Sequence, residues 1–190
     1  LLKECKLDVE WRVIEGDDKF FEITKDFHNA LHGEDVEISQ DVFNHYLKVN
    51  AKNAKQMEDL GEADFVVVHD PQPASLIEHF PKRRGKWIWR CHIDVSTPNL
   101  RVWEFLKTFV SQYNAAVFHV DKFAKKDLLV RQFIVPPSID PISPKNIDMN
   151  EDDIDKILSK HGIKRNKPII SQIGRFDKLK DPAGVVKMYK

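Results

Sequence analysis

The sequence predicts an α/β fold built on a mainly parallel sheet. Short apolar runs of strand type alternate along the chain with segments whose apolar residues recur at helical spacing. The clearest strand covers residues 64–69, where a β-branched run is typical of a central strand covered on both faces. Alternation of strands and helices favours a parallel sheet whose strands are connected by helices.

Each element rests on its own local pattern. Glycines follow several of the helical segments, at positions typical of a helix end. We predict strands at residues 9–14, 64–69, 86–93, 115–120, 133–135 and 169–173. We predict helices at residues 20–31, 39–60, 74–80, 98–113, 123–129 and 150–161, and a last one beginning at Pro182.

A proline-rich connector marks the best domain boundary. Four prolines fall within residues 136–144, which indicates a stiff, extended segment. We therefore predict one domain at residues 1–137 and the beginning of a second at residues 138–190. The sequence lacks an initial Met and stops inside a predicted helix, so we expect it to be a fragment of a larger protein.

Composition excludes several classes of protein. Thirty basic residues balance thirty acidic ones, so nothing indicates binding of nucleic acid through bulk charge. No apolar run approaches the roughly 18 residues of a membrane span, and no leader pattern opens the sequence. Cys5 and Cys91 lie far apart without metal spacing, which is typical of a reducing cytoplasm. We expect a cytoplasmic protein with no metal site and no nucleic-acid or membrane partner.

Polar side chains follow two of the predicted strands. Asp70 comes directly after one strand, whereas Arg90, His92 and Asp94 surround the end of the next. Ligands of open parallel sheets bind beyond the carboxyl ends of the strands, so these residues are candidates for a site. Each could instead be an ordinary turn or loop residue. His119 repeats the pattern after a third strand, and we interpret it as part of the scaffold.

The region 167–182 combines a strand, a loop and a helix start. The loop carries Arg175 and Lys180, while Asp181 suits the N-cap position and Pro182 the first helical position. Free N–H groups and positive charge converge there, which favours an anion site. A plain surface loop is the alternative. P-loop, dinucleotide and serine-hydrolase motifs are absent from the sequence.

Four segments in order resemble a known family. HDPQPA at 69–74, WRCHIDVS at 89–96, PPSIDPISPKN at 136–146 and GRFDKLKDP at 174–182 are similar to the trehalose synthases, which are retaining GT-B glycosyltransferases of glycosyltransferase family 4. The resemblance implies two Rossmann-like domains. The acceptor-side domain has a parallel sheet and is incomplete at its N-terminus, and only the beginning of the domain that holds the nucleotide-sugar is present.

The resemblance also implies a reaction and roles for the candidate residues. Glucose would pass reversibly, with retention, from a nucleoside-diphosphate-glucose to free glucose, and no cofactor is required. The implied roles are catalysis for His92, binding of the donor diphosphate for Arg175 and Lys180, and sugar contacts for Asp70, Arg90 and Asp94.

Several alternatives stay open. A trehalose phosphorylase or another family 4 transferase would share the fold, and a non-catalytic sugar- or nucleotide-binding module is a third reading. The family's Gly-rich loop and its E-x7-E segment do not occur in these 190 residues, so we expect this stretch alone to be inactive. The sequence leaves open the nucleotide, the direction of the reaction, a divalent metal and assembly into a homo-oligomer.

Overall fold

The computed structural model describes residues 5–176 and 180–189. The chain divides into two compact units, Leu1–Ser138 and Ile139–Lys190, and each is described by itself. The second unit carries the helices α4 (Glu151–Lys160) and α5 (Pro182–Tyr189).

The first unit is a parallel sheet with helices. Its helices are α1 (Asp18–Leu31), α2 (Gln40–Gln56) and α3 (Leu100–Val110), with short 3₁₀ segments at Glu58–Glu62, Ala74–His79 and Asp121–Phe123. Its strands are β1 (Phe65–His69), β2 (Lys86–Arg90), β3 (Ala115–Phe118) and β4 (Arg131–Ile134). Among the described residues these strands form one sheet in the order β1-β2-β3-β4, with every pairing parallel. The predicted α/β class is confirmed.

Local sequence sets where the helices begin. The carboxylate of Asp17 accepts a hydrogen bond of 2.8 Å from the backbone N–H of Phe20, at the start of α1. Asn99 caps α3, and Asn150 caps α4 by accepting a bond of 2.9 Å from Asp153 N–H. These short polar side chains satisfy N–H groups that have no partner inside the helix.

One face of the sheet packs on the core. Trp87 and Trp89 of β2 are fully buried, as is Phe118 of β3. Their neighbours in register include Val66 and Val68 of β1, which are buried too. Trp103 of α3 joins the same cluster, so all three tryptophans are core residues. The core thereby fixes the ends of β1, β2 and β3 relative to one another.

Two predicted strands are wrong. Residues 9–14 and 169–173 form no strand in the described part of the chain. Trp11 is 75% exposed and Ile173 is 98% exposed, so neither segment lies against a neighbouring strand. A strand is stable only when its N–H and C=O groups pair with another strand, which an apolar pattern alone cannot supply.

Two further details differ from expectation. We predicted β1 as a central strand covered on both faces, but it lies at the edge of the sheet formed by the described residues. Val66 and Val68 are buried, whereas Phe65 is 69% exposed and Val67 is 49% exposed. The helix predicted at 123–129 is replaced by the 3₁₀ segment Asp121–Phe123 and by turns, in which Gln132 bonds the backbone of Lys125.

Candidate functional site

Asp70 forms the turn at the end of β1. Its φ of 65° is left-handed, a conformation that Asp tolerates better than most residues do. Its N–H donates to the carbonyl of Arg90 at 2.8 Å, and its own carbonyl accepts from the indole N–H of Trp89 at 2.9 Å. Its Oδ1 accepts from the backbone N–H of His92 at 2.7 Å. Asp70 therefore ties the ends of β1 and β2 together at the carboxyl edge of the sheet.

Three histidine rings lie in a row along the same edge. Nδ1 of His69 is 2.8 Å from Nε2 of His92, and Nδ1 of His92 is 3.1 Å from Nε2 of His119. The first two rings are stacked, with their centroids 5.1 Å apart and their planes at 11°. His92 is exposed, whereas the two outer histidines are half-buried. We call these three residues the histidine array.

The surroundings of His92 favour its neutral form. Partial burial lowers the pKa of His92, and its repulsion from His69, Arg90 and His119 acts in the same direction. The negative charge of Asp70 opposes this shift without reversing it. Around neutral pH the ring is therefore an uncharged imidazole, with one nitrogen that donates a hydrogen and one that accepts.

The other two predicted sugar contacts differ in position. Arg90 ends β2, and its guanidinium donates to the carbonyl of Val135 at 2.8 Å, near the end of β4. Oδ1 of Asp94 accepts from the N–H of Ser96 at 2.8 Å and from its hydroxyl at 2.6 Å. These bonds lower the pKa of Asp94, although partial burial works against them. The structure thus brings Asp70, Arg90 and His92 together, while Asp94 bonds within its own loop.

Side chains of α2 make hydrogen bonds to the backbone of the loop that follows Asp70. The buried hydroxyl of Tyr46 donates to the carbonyl of Pro71 at 2.7 Å and accepts from the N–H of Ser75 at 3.2 Å. Nδ2 of Asn50 donates to the carbonyl of Gln72 at 3.0 Å. Burial raises the pKa of Tyr46 well above its usual value, so the hydroxyl keeps its hydrogen. Side chains of α2 therefore fix the backbone beside the candidate site.

Replacing Tyr46 with Phe tests this support. We expect Tyr46→Phe to lower the free energy of unfolding by about 2 kcal/mol, because two backbone groups lose a partner worth about 1 kcal/mol each. Tyr113→Phe is the matched comparison, since the Tyr113 hydroxyl makes a single bond, to the carbonyl of Ala74 at 2.8 Å. It should cost about half as much. Urea unfolding of both variants measures the difference, and equal losses would contradict the double role of Tyr46.

The second unit contains the other candidate loop. Nε2 of Gln172 donates to the carbonyl of Lys180 at 2.6 Å, which joins the two ends of the loop. A Cβ added to Gly174 would lie 3.7 Å from Cγ of Lys180, so the lysine stem runs beside the residue that precedes Arg175. Residues 177–179 of the predicted loop lie outside the described residues.

The start of α5 agrees with the prediction. Oδ1 of Asp181 accepts from the N–H of Gly184 at 3.0 Å, and Pro182 is the first residue of the helix. Gly184 suits this cap, because a Cβ there would overlap the Asp181 carboxylate. Arg175 and Lys180 therefore lie on the chain that leads into a helix N-terminus, where anions are favoured.

The described residues contain neither a metal-binding cluster nor a helix able to span a membrane. Across residues 5–176 and 180–189, no three or more His, Cys, Asp or Glu side chains are grouped so as to hold a metal ion. Within the same ranges, every helix is too short or too polar to cross a membrane.

Sequence reasoning missed the contact made by His119. We interpreted that residue as scaffold, but its ring lies within hydrogen-bond distance of His92. The register explains why: Arg90 of β2 pairs with Val117 of β3, so the residues two places further on become neighbours. The recurrence of histidine at or just after the ends of three consecutive strands was the available signal, but only the pairing of the strands shows that these histidines are neighbours.

Comparison with known proteins identifies the class and then the family. The fold is an α/β arrangement with a parallel sheet in its first unit. The solved structure of an α,α-trehalose 6-phosphate synthase from Burkholderia multivorans matches 80% of this chain with a TM-score of 0.50 and 18% identity. The chain belongs to the family described as trehalose synthase, N-terminal domain, whose sequence model matches residues 1–125.

Curated relatives extend the match to the whole chain. Trehalose synthases from Thermococcus litoralis and Pyrococcus furiosus are each 43% identical to it over 192 residues. A trehalose synthase from Rubrobacter xylanophilus is 40% identical over 195 residues. Each match covers all of this chain but only 46% or 47% of the relative. The chain thus spans about half the length of the curated relatives it matches.

Proposed function

We propose that the protein containing this chain is a retaining glycosyltransferase that moves glucose reversibly from a nucleoside-diphosphate-glucose to free glucose, forming trehalose. One observation carries the proposal. In a chain of the trehalose synthase family, Asp70 and His92 converge at the carboxyl edge of a parallel sheet, where such folds bind ligands. The proposal needs no cofactor and no metal, and it suits a cytoplasmic enzyme.

The first unit would bind the acceptor sugar. Asp70 uses Oδ1 to hold the His92 backbone, and Oδ2 then offers an acceptor to a glucose hydroxyl. His92 would face the reacting sugars with a neutral ring, which can donate to one oxygen and accept from another. Arg90 and Asp94 would complete the sugar contacts, with Arg90 already anchored on Val135. A convergent set of polar groups of this kind suits a polyhydroxylated ligand.

The second unit would bind the donor diphosphate. Arg175 and Lys180 place two cations on the loop that ends at the N-terminus of α5. Positive groups held in this way stabilise the negative charge that builds on the departing nucleoside diphosphate. With no protein nucleophile assigned, transfer would take place on the front face of the sugar, where the leaving phosphate helps to deprotonate the acceptor hydroxyl.

Turnover by the full-length protein tests the proposal. We expect trehalose from glucose and a nucleoside-diphosphate-glucose, with ADP-, UDP- and GDP-glucose compared in parallel. We expect His92→Ala to lower kcat/KM about a hundredfold, the scale of a lost proton-handling or polar contact in the transition state. His79→Ala is the control, because His79 is exposed at the end of the 3₁₀ segment Ala74–His79 in the same unit.

Different outcomes separate the alternatives. Trehalose cleavage that depends on inorganic phosphate, without any need for a nucleoside diphosphate, would identify a phosphorylase and overturn the proposed donor. Full turnover by the His92→Ala variant would show that His92 takes no part in the reaction. Binding of sugar or nucleotide without any turnover would indicate that the protein is a non-catalytic binding module.

A further inference from the structure

The histidine array uses both ring nitrogens of His92. Nε2 faces His69 and Nδ1 faces His119, at 2.8 and 3.1 Å. A neutral imidazole carries one hydrogen, so His92 must donate to one neighbour and accept from the other. The position of that hydrogen on His92 then decides which nitrogen of each outer ring carries its own hydrogen.

Only two arrangements satisfy both hydrogen bonds when all three rings are neutral. In the first, His69 donates from Nδ1 to His92, and His92 donates from Nδ1 to His119. Nε2 of His69 then carries a lone pair, and Nδ1 of His119 carries a hydrogen. In the second arrangement the donor and the acceptor of each hydrogen bond are exchanged. Nε2 of His69 then carries a hydrogen that it can donate, and Nδ1 of His119 carries a lone pair. The two ends of the array therefore always have opposite character.

We propose that the histidine array binds a sugar hydroxyl as a single donor–acceptor unit, in which His69 and His119 are positioning residues that fix the hydrogen on His92. The hydroxyl as ligand rests on the proposed function, whereas the coupling of the three rings does not. A hydroxyl that donates to Nε2 of His69 selects the first arrangement throughout the array. A hydroxyl that accepts from the same atom selects the second.

Three features of the structure support coupling. The three residues end or follow adjacent strands of one sheet, so their spacing is set by backbone pairing rather than by loop position. Asp70 holds the backbone of His92 at 2.7 Å, which limits movement of the central residue. The stacked rings of His69 and His92, whose planes are 11° apart, keep the nitrogens in contact. A rigid support of this kind makes two discrete hydrogen patterns more stable than a mixture of broken contacts.

Nitrogen NMR of the full-length protein tests the coupling directly. Two-bond ¹H–¹⁵N correlation of the histidine rings distinguishes the two neutral tautomers, and a pH of about 8 keeps unperturbed histidines neutral. We expect the three rings of the wild type to populate only the two patterns that satisfy both hydrogen bonds. Removing one end with His119→Ala should change the tautomer populations of His69, whose ring has its array contact with His92 and not with His119. The control variant His79→Ala should leave the tautomer populations of the three rings unchanged.

Replacing His69 or His119 with Asn or Gln gives a second test. The amide that preserves the contact with His92 should be Asn at position 69 and Gln at position 119. The Nδ1 atom of His69 faces the array, and an Asn amide reproduces that position. The Nε2 atom of His119 faces the array, and a Gln amide reproduces that position. His69→Asn and His119→Gln should therefore keep both hydrogen bonds of His92 and its wild-type tautomer populations, whereas His69→Gln and His119→Asn should each break one bond and change those populations.

The measurements separate this inference from the proposed function. An unchanged His69 tautomer in His119→Ala, or equal effects of Asn and Gln at both ends, would overturn the array as a unit. Turnover is not involved in either readout, so a protein with another activity could still show coupling. Adding glucose to the wild type then tests the ligand: a shift of all three rings together supports the hydroxyl as partner, and a shift of none contradicts it.

Discussion

Replacing Gly85 with Ala should lower the free energy of unfolding of the first unit by on the order of 3 kcal/mol. An added Cβ would overlap the carbonyl oxygens of Ala63 and Asp64, which belong to the backbone and cannot rotate away. The same stretch starts the pairing of β1 with β2, since Lys86 N–H donates to the carbonyl of Asp64 at 2.9 Å. The methyl group would therefore push apart the two strands that carry the candidate site.

Gly61→Ala is the matched control for this prediction. Its added Cβ would lie 3.5 Å from the ring of Phe80, an ordinary van der Waals contact, so we expect a change within about 0.5 kcal/mol. Urea unfolding followed by tryptophan fluorescence suits both variants, because the buried Trp87, Trp89 and Trp103 all report on the first unit. A Gly85→Ala protein as stable as the wild type would contradict the close approach of the two backbones.

The predictions that succeeded rest on patterns confined to a few residues. The cap at Asp181 and the helix start at Pro182 could be anticipated, because a cap is a contact between neighbours in the chain. The α/β class followed from alternating elements in the same way. Buried Trp87 and Trp89 agree with the alternation along β2, where every second side chain faces the core.

The predictions that failed depend on partners distant in the sequence. The apolar runs at 9–14 and 169–173 resemble strands. A strand forms only if it pairs with another strand, and the local sequence does not show whether such a partner is present. The candidate site shows the same limit. Asp70 and His92 could be singled out because each follows a strand, yet the bond between Asp70 and the His92 backbone requires β1 and β2 to be neighbours. The contact of His119 with His92 needed the register of a third strand.

The functional division between the two units stays a prediction. The sequence placed the boundary within the proline-rich connector, and the chain separates into compact units at Ser138 and Ile139. Compactness alone does not assign the acceptor to one unit and the donor to the other. The assignment rests on the roles proposed for Arg175 and Lys180, so a measurement on those two cations bears on it directly.

Replacing either cation of the second unit should reduce transfer by the full-length protein strongly. We expect Arg175→Ala and Lys180→Ala each to lower kcat about a hundredfold or more, the scale of losing one preorganised charge partner of a developing anion. The loss should fall on kcat more than on KM, because the diphosphate gains negative charge as the sugar leaves it. Arg175→Lys should recover only part of the activity, since a lysine cannot make the paired contacts of a guanidinium.

Binding measurements distinguish a diphosphate clamp from a general loss of structure. Calorimetry should show weaker binding of the nucleoside diphosphate to both variants and unchanged binding of glucose, because glucose contacts would come from the first unit. Lys187→Ala is the charge-matched control, since Lys187 is exposed in the last turn of α5 rather than on the loop before it. Equal losses in all three variants would show that net charge, and not the position of Arg175 and Lys180, governs donor binding. An effect confined to the loop cations would assign the donor diphosphate to the second unit.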